Sequence, residues 1–252
     1  MQIVGIIPAR YQSSRFPGKP LADIHGKPMI QRVFERTSRA RRLHRVLVAT
    51  DDPRILEAVE AFGGEAVMTG ARHSSGTDRL AEAGRLIGLS PDDIVVNVQG
   101  DEPLIEPVMI DRLVEALQES PRSPMATLAF PGGGVQDKMD YLNPNVVKVV
   151  VDDAGRALYF SRSPIPHGRD AAEEEITFLR HLGFYAYHFS FLRIFTELPP
   201  GKLELLEKLE QLRALEHGYS IQVALSPVRT GGVDTPQDME DLLSLGPEIW
   251  SM

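Results

Sequence analysis

Three cations, Arg10, Arg15 and Lys19, fall within ten residues in Pro8-Ala9-Arg10-Tyr11-Gln12-Ser13-Ser14-Arg15-Phe16-Pro17-Gly18-Lys19-Pro20, with two serines and a glycine between them. Guanidinium and ammonium groups neutralise phosphate oxygens, and the backbone N–H groups of such a loop form an anion nest. The stretch is not a Walker A loop, because Pro20 follows Gly18-Lys19, and no dinucleotide fingerprint occurs. The bland alternative is a solvated basic loop. The tight Pro/Gly geometry, and the position just after a strand-like run, favour phosphate.

A second element is Val95-Val96-Asn97-Val98-Gln99-Gly100-Asp101-Glu102-Pro103. Its apolar run ends in Asp101. A lone Asp there often serves a turn or cap. Beside a phosphate loop it has a further use as a hard oxygen ligand for Mg²⁺, which binds one or two carboxylates plus substrate phosphates. In Gly231-Gly232-Val233-Asp234-Thr235-Pro236 the residues alone favour Asp234 as a helix N-cap, with Pro236 early in the helix. In Arg180-His181-Leu182-Gly183-Phe184-Tyr185-Ala186-Tyr187, a period of two puts His181, Tyr185 and Tyr187 on one strand face. That face is either core or a surface for a hydroxylated, anionic ligand.

The elements that must position these groups alternate. Residues 3–7, 45–50, 65–68 and 94–98 read as buried strands. Residues 29–40, 53–62 and 78–87 read as helices, the second stopped by Gly63-Gly64 and the third capped by Ser75 or Thr77. This alternation implies an α/β fold with a doubly wound, mostly parallel sheet, whose ligand edge is the carboxyl end of its strands. After about residue 120 the pattern changes. Residues 125–130, 146–151, 156–160, 184–189 and 220–225 read as strands, with a hairpin at Asp152-Asp153-Ala154-Gly155. Residues 202–217 read as one amphipathic helix burying Leu205, Leu206, Leu209, Leu212 and Leu215, and 235–243 as a closing helix. The expected organisation is a single domain over 1–252 with a hairpin-rich insertion at about 130–200, of the kind that builds a lid or a subunit contact.

Composition narrows the classes. Absence of cysteine excludes disulfides, Fe–S clusters, thiol nucleophiles and Cys-type zinc sites. A net charge of −8 argues against a general binder of nucleic acid or anionic membrane. No apolar run reaches the length of a membrane span, and the early strand is too short for a signal peptide. A cytoplasmic location is the expectation.

Taken in order, Ile6-Ile7-Pro8-Ala9-Arg10 through Leu21, Ser75-Gly76-Thr77-Asp78-Arg79, Asn97 to Pro103, Asn143-Pro144-Asn145, Phe160-Ser161-Arg162, Arg180-His181-Leu182-Gly183, Leu209-Glu210-Gln211-Leu212-Arg213 and Gly232-Val233-Asp234-Thr235-Pro236 resemble the 3-deoxy-manno-octulosonate (Kdo) cytidylyltransferases. The likeness runs over nearly the whole chain. The Arg10–Lys19 loop is shared with sialate-activating relatives, whereas the Arg-His-Leu-Gly and Leu-Glu-Gln-Leu-Arg blocks narrow it to the Kdo branch.

The resemblance implies a nucleotide-diphospho-sugar transferase-like fold and a homodimeric enzyme that joins CTP and Kdo into CMP-Kdo and diphosphate for lipopolysaccharide. It implies that Arg10, Ser13, Arg15 and Lys19 hold the triphosphate, with Arg10, Lys19 and Asp101 catalytic. Ser75, Gly76 and Arg79 would lie by the cytidine and Gln99 at the nucleotide–sugar junction. Gln99, Arg162, His181, Tyr185 and Glu210 would contact the sugar. Asp101 and Asp234 would bind Mg²⁺, replacing the cap reading of Asp234. Arg72, His73 and the 167–175 loop receive no role. The alternatives are another 2-keto sugar acid, either 8-amino-Kdo or sialic acid, and a catalytically silent nucleotide-binding module.

Overall fold

Strand–helix alternation governs the first part of the structure, a computed structural model that describes residues 1–12, 16–172, 175–233 and 235–250. The chain divides into two compact units, one of residues 1–111 with 230–252 and one of residues 112–229.

The first unit opens with β1 (Ile3–Ala9), followed by the two-residue hairpin strands β2 (Asp23–Ile24) and β3 (Lys27–Pro28) and by α1 (Met29–Thr37). β4 (Arg45–Thr50), α2 (Pro53–Ala61), β5 (Ala66–Met68), α3 (Gly76–Leu86) and β6 (Ile94–Asn97) complete the alternation, and α4 (Pro107–Gln118) leads out. β1 pairs in parallel with both β4 and β6, and β4 pairs in parallel with β5, giving the order β6-β1-β4-β5. Parallel strands are covered on both faces, which is why β1 and β6 are almost wholly buried apolar runs. Met29, Ile30 and Val33 of α1 are fully buried, each contributing roughly 1.5–3 kcal/mol by leaving water. Asp52 caps α2, with Pro53 in the first turn, and Ser75 forms a capping box with Asp78 at α3. This unit matches the expected α/β class.

The second unit holds β7 (Met125–Gly133), α5 (Lys138–Leu142), β8 (Lys148–Val151), β9 (Ala157–Ser161), β10 (Thr177–His188), α6 (Phe189–Glu197), α7 (Lys202–Glu207), α8 (Leu212–Glu216) and β11 (Ile221–Leu225). β7 pairs antiparallel with β10 and parallel with β11; β8 pairs antiparallel with β10 and β9. The expected turn at 152–155 joins β8 to β9, with Gly155 at φ +74°. The segment 130–200 lies inside this unit. The chain ends in α9 (Pro236–Ser244) of the first unit.

Several expectations need correction. Residues 202–217 are not one helix. Lys208 is left-handed (φ +55°), α7 stops before it and α8 starts after a turn. At the break the Glu207 carboxylate accepts from Ser161 Oγ at 2.6 Å and the Arg162 amide at 3.0 Å, which fixes the end of α7 on β9. Leu209 and Leu212 are buried as expected, but Leu205 and Leu206 are exposed, Leu206 by 80%. The strand foreseen at 184–189 is the end of the longer β10, and Phe189 already begins α6. The N-cap of α9 is Thr235, whose hydroxyl accepts from the Asp238 amide, and not Asp234.

Candidate active site

In the first unit the loop after β1 returns on itself. The Gly18 amide donates to the Tyr11 carbonyl at 2.9 Å, and Gly18 is left-handed (φ +73°). A Cβ on Gly18 would lie 3.2 Å from the Tyr11 ring. The turn launches a short 3₁₀ segment, Lys19–Leu21, anchored by buried Pro20. It carries Lys19 to the carboxyl end of β6, where Nζ donates to Asp101 Oδ2 at 2.7 Å and to the Val233 carbonyl at 2.8 Å. The Val233 amide donates to the Asp101 carbonyl at 2.9 Å. Lys19 and Asp101, distant in sequence, thus meet at one sheet edge. The Lys19 side chain is 14% exposed and that of Asp101 32%. Gly100 makes the approach feasible, since a Cβ there would sit 2.9 Å from the Pro8 carbonyl oxygen.

Asp101 offers hard carboxylate oxygens, and Lys19 already places a positive charge against one of them. A carboxylate is the donor type a divalent cation takes, and a cation here would share Asp101 with the Lys19 ammonium. Among the described residues no cluster of three His, Asp or Glu side chains forms a metal cage. A Mg²⁺ here would therefore depend on Asp101, on phosphate oxygens and on Asp234, which lies outside the described residues together with Ser13 and Arg15.

On the other side of β1, Arg10, Tyr11, Gln12, Asp51, Asp52 and Ala71 line a cavity of about 240 Å³. The two carboxylates in this wall differ in their commitments. Asp52 caps α2 and is gripped by Arg54 through Nε at 2.9 Å and Nη2 at 2.6 Å. Arg54 also stacks on the Tyr11 ring, 3.3 Å from its centroid. Asp51 instead pairs through Oδ2 with Nη2 of Arg79 at 3.1 Å. Arg79 is 1% exposed, and its Nη1 donates to Thr69 Oγ1 at 2.5 Å. It stands behind the cavity wall. Ser75 accepts from the Asp78 amide with its hydroxyl, and a Cβ on Gly76 would lie 3.5 Å from the Pro8 ring. Gln99 lies in the turn after β6, its carbonyl accepting from the Glu102 amide.

In the second unit, β10 bulges between His181 and Tyr185, with Gly183 left-handed at φ +73°. The aromatic row survives the bulge. His181 and Tyr185 have ring centroids 5.5 Å apart, and Tyr185 stacks on Tyr187 at 5.9 Å. Tyr187 itself is core. Thr127, on β7, sets the histidine's tautomer. Its hydroxyl donates to the Phe184 carbonyl at 2.7 Å, so toward His181 Nε2, at 2.9 Å, it accepts. His181 is therefore the neutral Nε2–H form with Nδ1 as acceptor. Enclosure beside Phe160 lowers its pKa to about 3. Burial, and then the charge of Glu210, push the Tyr185 hydroxyl well above its ordinary value. Glu210 sits in the turn between α7 and α8 and not on a helix.

Arg162 is tied to backbone. Its Nε donates to the Glu207 carbonyl at 2.7 Å, Nη1 to Pro144 at 3.0 Å and Nη2 to Lys208 at 3.4 Å. Beneath it Lys148, fully buried, gives all three ammonium protons to the carbonyls of Asn143, Val146 and Arg162 at 3.0, 2.6 and 2.6 Å. Burial lowers its pKa. A second cavity, about 280 Å³ and walled by Tyr141, Leu142, Ile176 and Phe178, touches none of the expected site residues. Sequence reasoning missed Asp51, Thr127, Lys148 and Glu207. Only Asp51 had a visible signal, because it ends the strand-like run 45–50 at the ligand edge.

Comparison with known proteins adds to this geometry. A family profile described as "Cytidylyltransferase" matches residues 4–221. A 3-deoxy-manno-octulosonate cytidylyltransferase from Syntrophobacter fumaroxidans is 68% identical over 240 residues, 95% of each chain. An 8-amino-3,8-dideoxy-manno-octulosonate cytidylyltransferase from Shewanella pealeana is 53% identical, covering 95% of this chain and 96% of its own. Among solved structures, CMP:2-keto-3-deoxy-manno-octonic acid synthetase complexed with CTP superposes with a TM-score of 0.90 at 45% identity, covering 97% and 98% of the two chains. A lysine–aspartate pair at the carboxyl edge of a parallel sheet and these relatives agree: the chain belongs to the cytidylyltransferase family.

Proposed function

We propose that this protein activates Kdo with CTP, giving CMP-Kdo and diphosphate. The observation that carries the reading is the meeting of Lys19, Asp101 and Val233 at the edge of β1 and β6, in a chain 68% identical to a Kdo cytidylyltransferase. The anomeric C2 hydroxyl of Kdo attacks the α-phosphorus of CTP. An O–P bond forms, the bond to the bridging oxygen breaks, diphosphate leaves and the hydroxyl proton passes to solvent. Arg10, Arg15 and Lys19, with Ser13, hold the triphosphate and stabilise charge on the leaving group. Ser75, Gly76 and Gln99 line the nucleotide's path.

Asp101 and Asp234 would hold Mg²⁺, which when bound would supply positive charge for the phosphates and acidify the attacking hydroxyl. On the sugar side, His181 accepts a hydroxyl hydrogen at Nδ1, while Tyr185 and Glu210 bond further hydroxyls. Arg162, with N–H groups remaining beyond its three carbonyl partners, faces the carboxylate. The 8-amino sugar is the second reading, supported by relatives of lower identity.

We further propose a homodimer joined through the 130–200 segment, where Val135, Met139 and Leu142 are exposed, and a cytoplasmic location. Among the described residues no helix is long and apolar enough to cross a membrane.

The test is diphosphate release with Mg²⁺, each nucleoside triphosphate and each of Kdo, 8-amino-Kdo and sialic acid. The expected result is release with CTP and Kdo only. Release with 8-amino-Kdo alone transfers the assignment to that sugar. CTP binding with no turnover on any sugar supports the silent module instead.

A further inference from the structure

We propose that Asp51, held by the buried Arg79, selects the base by accepting a hydrogen bond from the exocyclic amine of cytosine. The inference rests on the reading of this protein as a CTP enzyme and names the residue that makes the choice. Asp101 follows β6 and Asp51 follows β4, and β1 lies between those strands. Two inter-strand spacings separate their ends by about 9–10 Å. A nucleoside triphosphate whose phosphates lie at Lys19 and Asp101 therefore reaches its base to the far side of β1. There the cavity of about 240 Å³ opens, with Arg10 in its wall. A pyrimidine ring with part of its ribose fits that volume.

Of the two carboxylates in the wall, Asp52 has its oxygens committed to Arg54 and to the start of α2. Asp51 pairs through Oδ2 with Arg79, and among the described residues Oδ1 is left for a donor from the cavity. Cytosine presents an amine at its 4-position, where uracil presents a carbonyl oxygen. A carboxylate accepts from the first and repels the second. Arg79 is the positioning residue: buried, hydrogen-bonded through Nη1 to Thr69 and ion-paired through Nη2 with Asp51, it ties the ends of β4 and β5 together and holds the carboxylate by charge. The resemblance placed Arg79 beside the cytidine; the geometry places it one layer behind, acting through Asp51.

The experiment compares binding by calorimetry of CTP, UTP and the triphosphate of pyrimidin-2-one riboside, which lacks the amine, to the wild type and to Asp51→Asn. Turnover with each is measured in parallel. In the wild type, loss of the amine should weaken binding roughly ten- to a hundredfold, the scale of a hydrogen bond to a charged group. In Asp51→Asn that loss should shrink severalfold, because the amide oxygen accepts only as a neutral group, and the CTP-to-UTP preference should fall at least about tenfold, because the amide can also turn and donate to the uracil oxygen. Arg79→Lys, which keeps the charge but not the fork, should lower discrimination in the same direction. Discrimination unchanged in Asp51→Asn overturns the proposal while leaving the cytidylyltransferase reading intact. Absence of turnover with intact CTP selectivity does the reverse. Should Asp51→Asn fail to fold, a crystal structure of the wild type with CTP decides: the proposal is lost if the carboxylate lies beyond hydrogen-bond reach of the amine.

Discussion

Lowering the pH from about 7.5 to about 5 protonates His181 in the unfolded chain but not in the folded one. In the fold, burial brings its pKa from 6.5 down to about 3. Between those values the unfolded state binds more protons, so stability rises with pH. It is complete above the ordinary histidine pKa and is lost progressively as pH falls toward the folded value. At pH 5 the unfolded histidine is about 1.5 pH units below its pKa and the folded one still neutral, which corresponds to about 2 kcal/mol.

Urea unfolding of the wild type and of His181→Gln at the two pH values isolates this contribution, because every other titrating group cancels in the difference. Glutamine keeps an N–H for Thr127. The wild type should lose about 2 kcal/mol more than the variant on acidification, or about 4–8 °C in Tm for a chain of this size. Equal acid sensitivity of the two proteins would mean that His181 is protonated in the fold. It would then act on the sugar as a cation near the carboxylate, and the tautomer argued from Thr127 would be wrong.

Asp101→Asn should lower kcat by at least about a hundredfold while far-UV circular dichroism is unchanged; near-normal turnover would remove Asp101 from the chemistry. Lys19→Ala should cut kcat/KM by about two to three orders of magnitude, the scale for one positioned charge donor, and a drop of less than about tenfold would make it a surface cation. Lys148→Met leaves three carbonyls without a donor and should cost about 3 kcal/mol in denaturant titration. Gly100→Ala forces a Cβ to within 2.9 Å of the Pro8 oxygen and should destabilise by about 1–3 kcal/mol, seen as a lower Tm.

Local pattern made the first unit legible. Its strands are short β-branched runs buried on both faces, and its helices begin at Asp52 and Ser75, side chains that can bond the first free amides. The cation loop and Asp101 were legible for a related reason: the carboxyl ends of parallel strands converge on one edge, so residues just past each strand meet whatever their separation in sequence. Where a side chain's role depended on a partner far along the chain, local pattern failed. Leu205 and Leu206 have helical spacing but are exposed, and their helix ends at Glu207, whose carboxylate bonds Ser161 and Arg162 some 45 residues earlier. The resemblance puts Arg79 by the cytidine with Ser75 and Gly76, and the fold shows what no local pattern carries: it is buried against Asp51 and Thr69.

Residue order thus determined the fold class, the phosphate-type loop and the family, since those depend on periodicity and on runs of neighbouring residues. Tertiary structure alone decided which carboxylate of the Asp51-Asp52 pair is committed to Arg54, which nitrogen of His181 carries the proton and why a lysine can be buried at 148. Each of those rests on a hydrogen-bond partner brought in by the fold, and a buried polar group takes its state from the partner it meets.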